Sequence, residues 1–189
     1  MTPTTRQEFV KKYSPFVNQI TRGTGIFTGT LLAQAVLESS GNWNTSGQWL
    51  VGGSKLSQKA NNLFGIKATK DWKGETYNIS TGEFTPTGQP FNVNADFRKY
   101  ASAEDSIKDY INFLLSNPRY TKGGVFTATN VMEQAIRLKN SGYATAPNYA
   151  DLVNSVYESI KKYISTKTII GAGAIFLLIG GFFLYRYLK

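Results

Sequence analysis

Apolar residues recur at helical spacing through most of the chain and at alternate positions through one short stretch. The pattern predicts a mostly helical protein with a single β-hairpin. From Thr5 to Arg22 the residues Phe9, Val10, Tyr13, Phe16, Val17 and Ile20 keep a helical period, and Ser14-Pro15 predicts a restart there as cap and first residue. In the next apolar helix Leu31, Ala35 and Glu38 stand at i, i+4 and i+7, which puts one glutamate on the stripe a helix would bury. Gly, Ser, Asn and Trp between Gly41 and Asn61 predict a loop with little regular structure, in which Trp43 and Trp49 either stack on sugar or cover core. Asn62-Leu63-Phe64-Gly65-Ile66-Lys67 reads as a compact turn.

The period then changes. Thr76 to Phe84, a turn over 85–88, and Phe91, Val93, Ala95 and Phe97 in alternation predict a two-stranded hairpin with Glu83 near its tip. Ser102 with Asp105 opens a helix striped by Ile107, Tyr110, Ile111 and Leu114, which Asn117-Pro118 stops. Asn130 with Glu133 opens another that ends before Gly142, and Pro147 begins a last one with Tyr149, Leu152, Val153, Val156, Tyr157 and Ile160 as an unbroken stripe. Residues 169–185 carry no charge. As a helix they span roughly 25 Å at ~1.5 Å per residue, close enough to a ~30 Å hydrocarbon core to cross it with Lys167 and Arg186 snorkelling. The organisation expected is a domain over 1–164, a linker over 165–168 and a transmembrane helix over 169–187, with the lipid bilayer as a partner.

Composition narrows the chemistry. Lys+Arg number 21 against 12 Asp+Glu, a net charge of +9 that favours anionic partners such as wall polymers, lipid headgroups or nucleic acid without choosing among them. The chain has no cysteine and no histidine, so thiolate nucleophiles, Ser-His pairs and the usual zinc ligand sets are excluded. What remains for hydrolysis is the carboxylate pair that cleaves glycosidic bonds, a chemistry that calls for no metal or cofactor. Glu104, Asp105 and Glu133 read as helix-opening acids, Asp151 and Glu158 as solvated, and Glu8 and Asp109 as surface. Glu38, Asp71, Glu75, Glu83 and Asp96 are left, and only Glu38 has apolar neighbours able to hold it neutral as a general acid must be.

Several segments, in order, resemble a known family: Thr24-Gly25-Ile26, Leu32-Ala33-Gln34-Ala35 through Glu38-Ser39, Asn62-Leu63-Phe64-Gly65-Ile66-Lys67, Phe97-Arg98-Lys99-Tyr100, Asn117-Pro118-Arg119-Tyr120, and Gly142-Tyr143-Ala144-Thr145 with Tyr149-Ala150. They are similar to the bacterial glucosaminidase domain of glycoside hydrolase family 73, found in autolysins and flagellar peptidoglycan hydrolases. The resemblance implies an α+β, mostly helical, lysozyme-like fold with a small β-lobe over a cleft. It further implies Glu38 as general acid, Glu83 as the second carboxylate with Glu75 as fallback, and Tyr143 placing the sugar or the water. Asn62, Phe64 and Tyr149 would line the groove. Two departures stand out: Ser40-Gly41-Asn42-Trp43 where the family has Trp-Gly soon after the Glu-Ser pair, and Ala146 where it often has aspartate.

The activity so implied is an endo-β-N-acetylglucosaminidase acting on peptidoglycan glycan strands. The rivals are a muramidase or lytic transglycosylase on the same fold, or a wall-binding protein without turnover. No nucleic acid is expected as a partner. A domain tethered only by its last helix, with no apolar stretch at its start, would face away from the wall. A virion membrane, with viral particle proteins as partners, resolves this; a bacterial cell envelope is the alternative.

Overall fold

The computed structural model describes residues 1–42, 49–84 and 90–165, without the side chains of 42, 82–84 and 90–91. The described order is α1 (Arg6–Ile20), α2 (Thr28–Ser39), β1 (Gly41–Asn42), β2 (Trp49–Leu50), α3 (Lys55–Ala60), β3 (Thr76–Phe84), β4 (Pro90–Arg98), α4 (Ala103–Ser116), α5 (Pro118–Lys122), α6 (Val131–Asn140) and α7 (Tyr149–Ile160). Helices make the body, and the hairpin β3–β4 stands off it.

The body is organised around α2. Every residue from Gly29 to Val36 is buried, so the helix is enclosed on all sides by α1, α6 and α7 rather than laid down along one stripe. Gly29 permits the closest approach, since a Cβ there would lie 2.6 Å from the Tyr157 ring of α7. Thr5 and Glu8 form a reciprocal cap at the start of α1. The restart predicted at Ser14-Pro15 does not occur, because α1 runs through Pro15 unbroken. Phe9, Val10 and Tyr13 before the proline and Val17 after it are all buried, and covering that continuous face outweighs a mid-helix proline's cost of about 3 kcal/mol. The Ser14 hydroxyl, instead of capping, accepts the Ser165 N–H at 3.0 Å.

After α2 the predicted loop is partly regular. A short bridge pairs β1 with β2, and Ser54 caps α3 by accepting the Ser57 N–H at 3.2 Å. Six residues with few apolar positions are too short a run for periodicity to register.

The hairpin has the predicted alternation, with Thr76 opposite Arg98 and Phe84 opposite Pro90. Among its described side chains only Phe97 is buried, so the lobe depends on its base. There Ala68 N–H reaches Asp96 O at 2.8 Å and Arg98 N–H reaches Ile66 O at 3.0 Å. Asp109 of α4 fastens the same point: it accepts from Arg98 at 2.8 Å and from the Tyr100 hydroxyl at 2.7 Å, while the Arg98 guanidinium stacks on Trp72 at 4.7 Å. Asp109 is therefore a tether and not the surface residue its sequence position suggests.

Ser102 and Asn130 cap α4 and α6 as predicted, and Pro118 opens α5. The last helix begins at Tyr149 with Asn148 as its cap, two residues beyond Pro147, and its stripe is broken at Leu152, which is 40% exposed. Among the described residues no helix is long and apolar enough to cross a membrane; the predicted helix over 169–187 lies outside them.

Candidate active site

The end of α2 opens into a groove of about 740 Å³ whose walls include Glu38, Phe64, Lys67, Arg119, Tyr143 and Tyr149. Ser39 and Ser40 finish the helix by donating back to Ala35 O at 2.6 Å and Val36 O at 2.5 Å, which leaves Glu38 at the mouth of a buried rod. Solvent reaches the Glu38 carboxyl through the groove, but the protein around it removes enough hydration to push its pKa from 4.5 up to about 7. Desolvation of the carboxyl by the surrounding protein is the cause, although the residue as a whole is exposed along the groove. The acid foreseen on an apolar stripe is thus raised by the enclosure at the helix end, not by the stripe.

One turn earlier on the same face lies Gln34, fully buried. Its amide nitrogen donates to the Tyr149 hydroxyl at 2.7 Å, and its oxygen accepts from the Tyr110 hydroxyl at 2.8 Å. Tyr110 stacks on Phe64 with centroids 4.0 Å apart, and Tyr143 sits edge-on to Tyr110 and tilted against Tyr149, at 5.8 Å from each. Four rings are thereby locked into one wall. Burial drives the phenol pKa values of Tyr110, Tyr143 and Tyr149 upward, so these groups stay neutral and act as hydrogen-bonding and stacking surfaces rather than bases. Since Tyr149 accepts from Gln34, its own proton is left to point elsewhere, and no described residue takes it.

Phe64, Tyr143 and Tyr149 line the groove, and Asn62 lies beneath it. Its amide donates to Ile66 O at 3.0 Å and Arg98 O at 2.8 Å and accepts the N–H groups of Phe64 and Ile66 at 3.3 and 3.1 Å. That exhausts its hydrogen-bonding capacity on shaping the turn that presents Phe64.

Among the described residues Glu38 is the single carboxylate of the groove. Glu75, the fallback, pairs with Lys99 at 2.6 Å before the hairpin begins, and that contact lowers its pKa. Asp96 accepts from Asn78 at 2.8 Å on the lobe, and Asp71 is exposed. Residue 83 lies near the far end of β3, opposite Phe91; the Glu83 side chain is outside the described part. Trp49 is 62% exposed and covers no core, and Trp43 lies outside the described residues. No described trio of carboxylates could hold a metal ion. Gln34, Tyr110, Lys67 and Arg119 appear in the motifs and stripes read from the sequence, which gave none of them a role in the site. For Gln34 the signal was present: an amide inside an otherwise apolar helix, four residues from the acid, must have buried partners.

The model of the glucosaminidase family, described as mannosyl-glycoprotein endo-beta-N-acetylglucosaminidase, matches residues 14–162. The peptidoglycan hydrolase FlgJ of Salmonella typhimurium is 36% identical over 82% of this chain and 46% of its own length, and the exo-glucosaminidase LytG of Bacillus subtilis is 32% identical over 81% and 51%. The chain thus spans about half the length of the curated relatives it matches. Among solved structures, the C-terminally truncated glycoside hydrolase domain of Salmonella FlgJ superposes with a TM-score of 0.59 at 33% identity, covering 83% of this chain and 98% of that one. The catalytic domain of the autolysin Auto from Listeria monocytogenes gives 0.66 at 27% identity, covering 86% and 89%.

Proposed function

The chain belongs to the glucosaminidase family of glycoside hydrolases, and on that premise we propose that it cuts the β-1,4 bond following N-acetylglucosamine within peptidoglycan glycan strands. The observation that carries the reading is Glu38, whose carboxyl keeps its proton close to neutral pH in the wall of an open groove. The protonated form gives its proton to the glycosidic oxygen as the bond to the anomeric carbon breaks. Glu83 on the lobe activates water or stabilises the oxocarbenium-like carbon, and movement of the lobe brings it to the sugar. The neutral phenols of Tyr143 and Tyr149 hold the substrate by stacking and hydrogen bonding. An open groove suits cleavage within a long strand. The uncharged run over 169–185, flanked by Lys167 and Arg186, supports attachment to a membrane through that segment.

Digestion of purified sacculi by wild type and Glu38→Gln, with products identified by mass spectrometry, tests the reading. Reducing-end N-acetylglucosamine released by wild type and not by the variant is the expected result. Reducing-end muramic acid would make the enzyme a muramidase, and the anhydro form a lytic transglycosylase. Wild-type rates in Glu38→Gln would remove the proposed acid altogether.

A further inference from the structure

We propose that Arg119 forms a carboxylate-binding subsite in the groove that recognises the acidic arm of the muramic acid unit, either its free lactyl carboxylate or a carboxylate of the stem peptide attached there. The inference rests on the reading that the groove holds a peptidoglycan glycan strand.

Arg119 is held in place, yet among the described residues it meets no countercharge. Its Nη2 donates to the Tyr120 hydroxyl at 2.6 Å and its Cζ lies 4.7 Å from the Tyr120 ring centre, while Tyr120 itself is wholly buried. That contact uses one of five guanidinium donors and fixes the plane from which the others project. Arg98 and Arg137 meet Asp109 and Glu133, at 2.8 and 2.5 Å, whereas no described carboxylate lies within ion-pair distance of Arg119. Among the described residues it is the Tyr120 contact, and no ion pair, that positions this cation.

Nor does it tune the acid. A cation close to Glu38 would pull that carboxyl's pKa down, and burial alone accounts for its upward shift. With Glu38 protonated, the described lining offers Arg119 no anion. A planar guanidinium with unused donors in such a wall matches a carboxylate, which it can engage through two parallel bonds. N-Acetylglucosamine offers no such group. The muramic unit carries one on its lactyl arm, or in the peptide that amidates that arm.

The test uses three soluble glycan oligomers: stems removed so that lactyl carboxylates are free, the same with every carboxylate converted to a methylamide, and stems intact. The expected result is that Arg119→Gln raises KM about threefold to tenfold on the carboxylate-bearing oligomers, leaves kcat within about twofold, and changes nothing on the neutral one. Arg119→Lys recovers part of the loss, because it restores the charge without the fork. An effect confined to the stem-free oligomer assigns the lactyl group, and one confined to the intact stems assigns the peptide. Equal loss on the neutral oligomer would make Arg119 a purely structural residue, and unchanged KM on both charged oligomers would overturn the subsite. If wild type cuts none of the three, the enzymatic reading fails by itself. Calorimetric binding of the same oligomers to wild type and Arg119→Gln then decides the subsite by the same pattern.

Discussion

Glu38→Gln has two consequences that a single structural cause ties together. Folding raises the carboxyl pKa from 4.5 to about 7, so the folded chain resists an ionisation that the unfolded chain accepts. Stability from this group is complete below pH 4.5, declines between 4.5 and 7, and stays at its reduced level above that. At about 1.4 kcal/mol per pKa unit the full loss would be ~3.4 kcal/mol, and the solvent that enters through the groove screens this to about 1–2 kcal/mol. Glutamine never ionises and escapes the loss. The melting temperature of the variant should therefore match wild type at pH 4 and exceed it by about 2–8 °C at pH 8.5, using ~2–4 °C per kcal/mol for a domain of this size. Taking the difference between two proteins at each pH cancels every other titrating group. Turnover on sacculi should fall by about 10²–10⁴-fold, as loss of a general acid does, and the alkaline limb of the wild-type profile near pH 7 should vanish from the residual rate. A melting difference that does not change with pH, or a wild type more stable at pH 8.5, would show that the carboxyl is not desolvated and would remove the physical basis for its role.

Three further outcomes follow from other contacts. Gln34→Leu leaves the hydroxyls of Tyr110 and Tyr149 without their buried partner; it should destabilise by about 1–3 kcal/mol in chemical denaturation and lower kcat more than KM rises, whereas unchanged kinetics would make the amide merely structural. Asp109→Ala strands the Arg98 guanidinium and the Tyr100 hydroxyl and should cost about 2–4 kcal/mol, with hydrogen exchange rising first along β4; uniform exchange across the domain would contradict a local tether. Glu83→Gln should reduce kcat at least about 100-fold without shifting the melting temperature by more than about 2 °C, and a near-normal rate would assign the second carboxylate's work to another group.

Sequence reasoning succeeded where local chemistry decides the structure. Ser102 and Asn130 cap helices because their side chains satisfy amides three residues on, and the alternation from Phe91 to Phe97 specified a hairpin because period two has few other solutions. It failed where tertiary packing overrides local preference. Pro15 reads as a helix start until a buried face on both sides of it is known. Asp109 reads as surface until Arg98 and Tyr100 are brought to it from the foot of the hairpin. Asn62 lies in a motif that suggests substrate contact, but only coordinates reveal that its amide is consumed by backbone. Glu38 was singled out by a spacing argument that α2 does not support: the helix has no exposed side along most of its length, so i, i+4 and i+7 could not separate its faces.

The slender attachment of the hairpin gives a mechanical reading of the whole molecule. From Thr76 to Glu83 the strand reaches roughly 23 Å at ~3.3 Å per residue, fastened where Arg98 meets Asp109. A rod of that length swinging by about 10° about such a pivot carries its outer end ~4 Å, comparable to the difference between the ~5 Å and ~6.5–9.5 Å carboxyl separations of retaining and inverting glycosidases. The angle set at one ion pair at the foot of the hairpin would thereby govern the gap between Glu38 and Glu83, the second carboxylate proposed above.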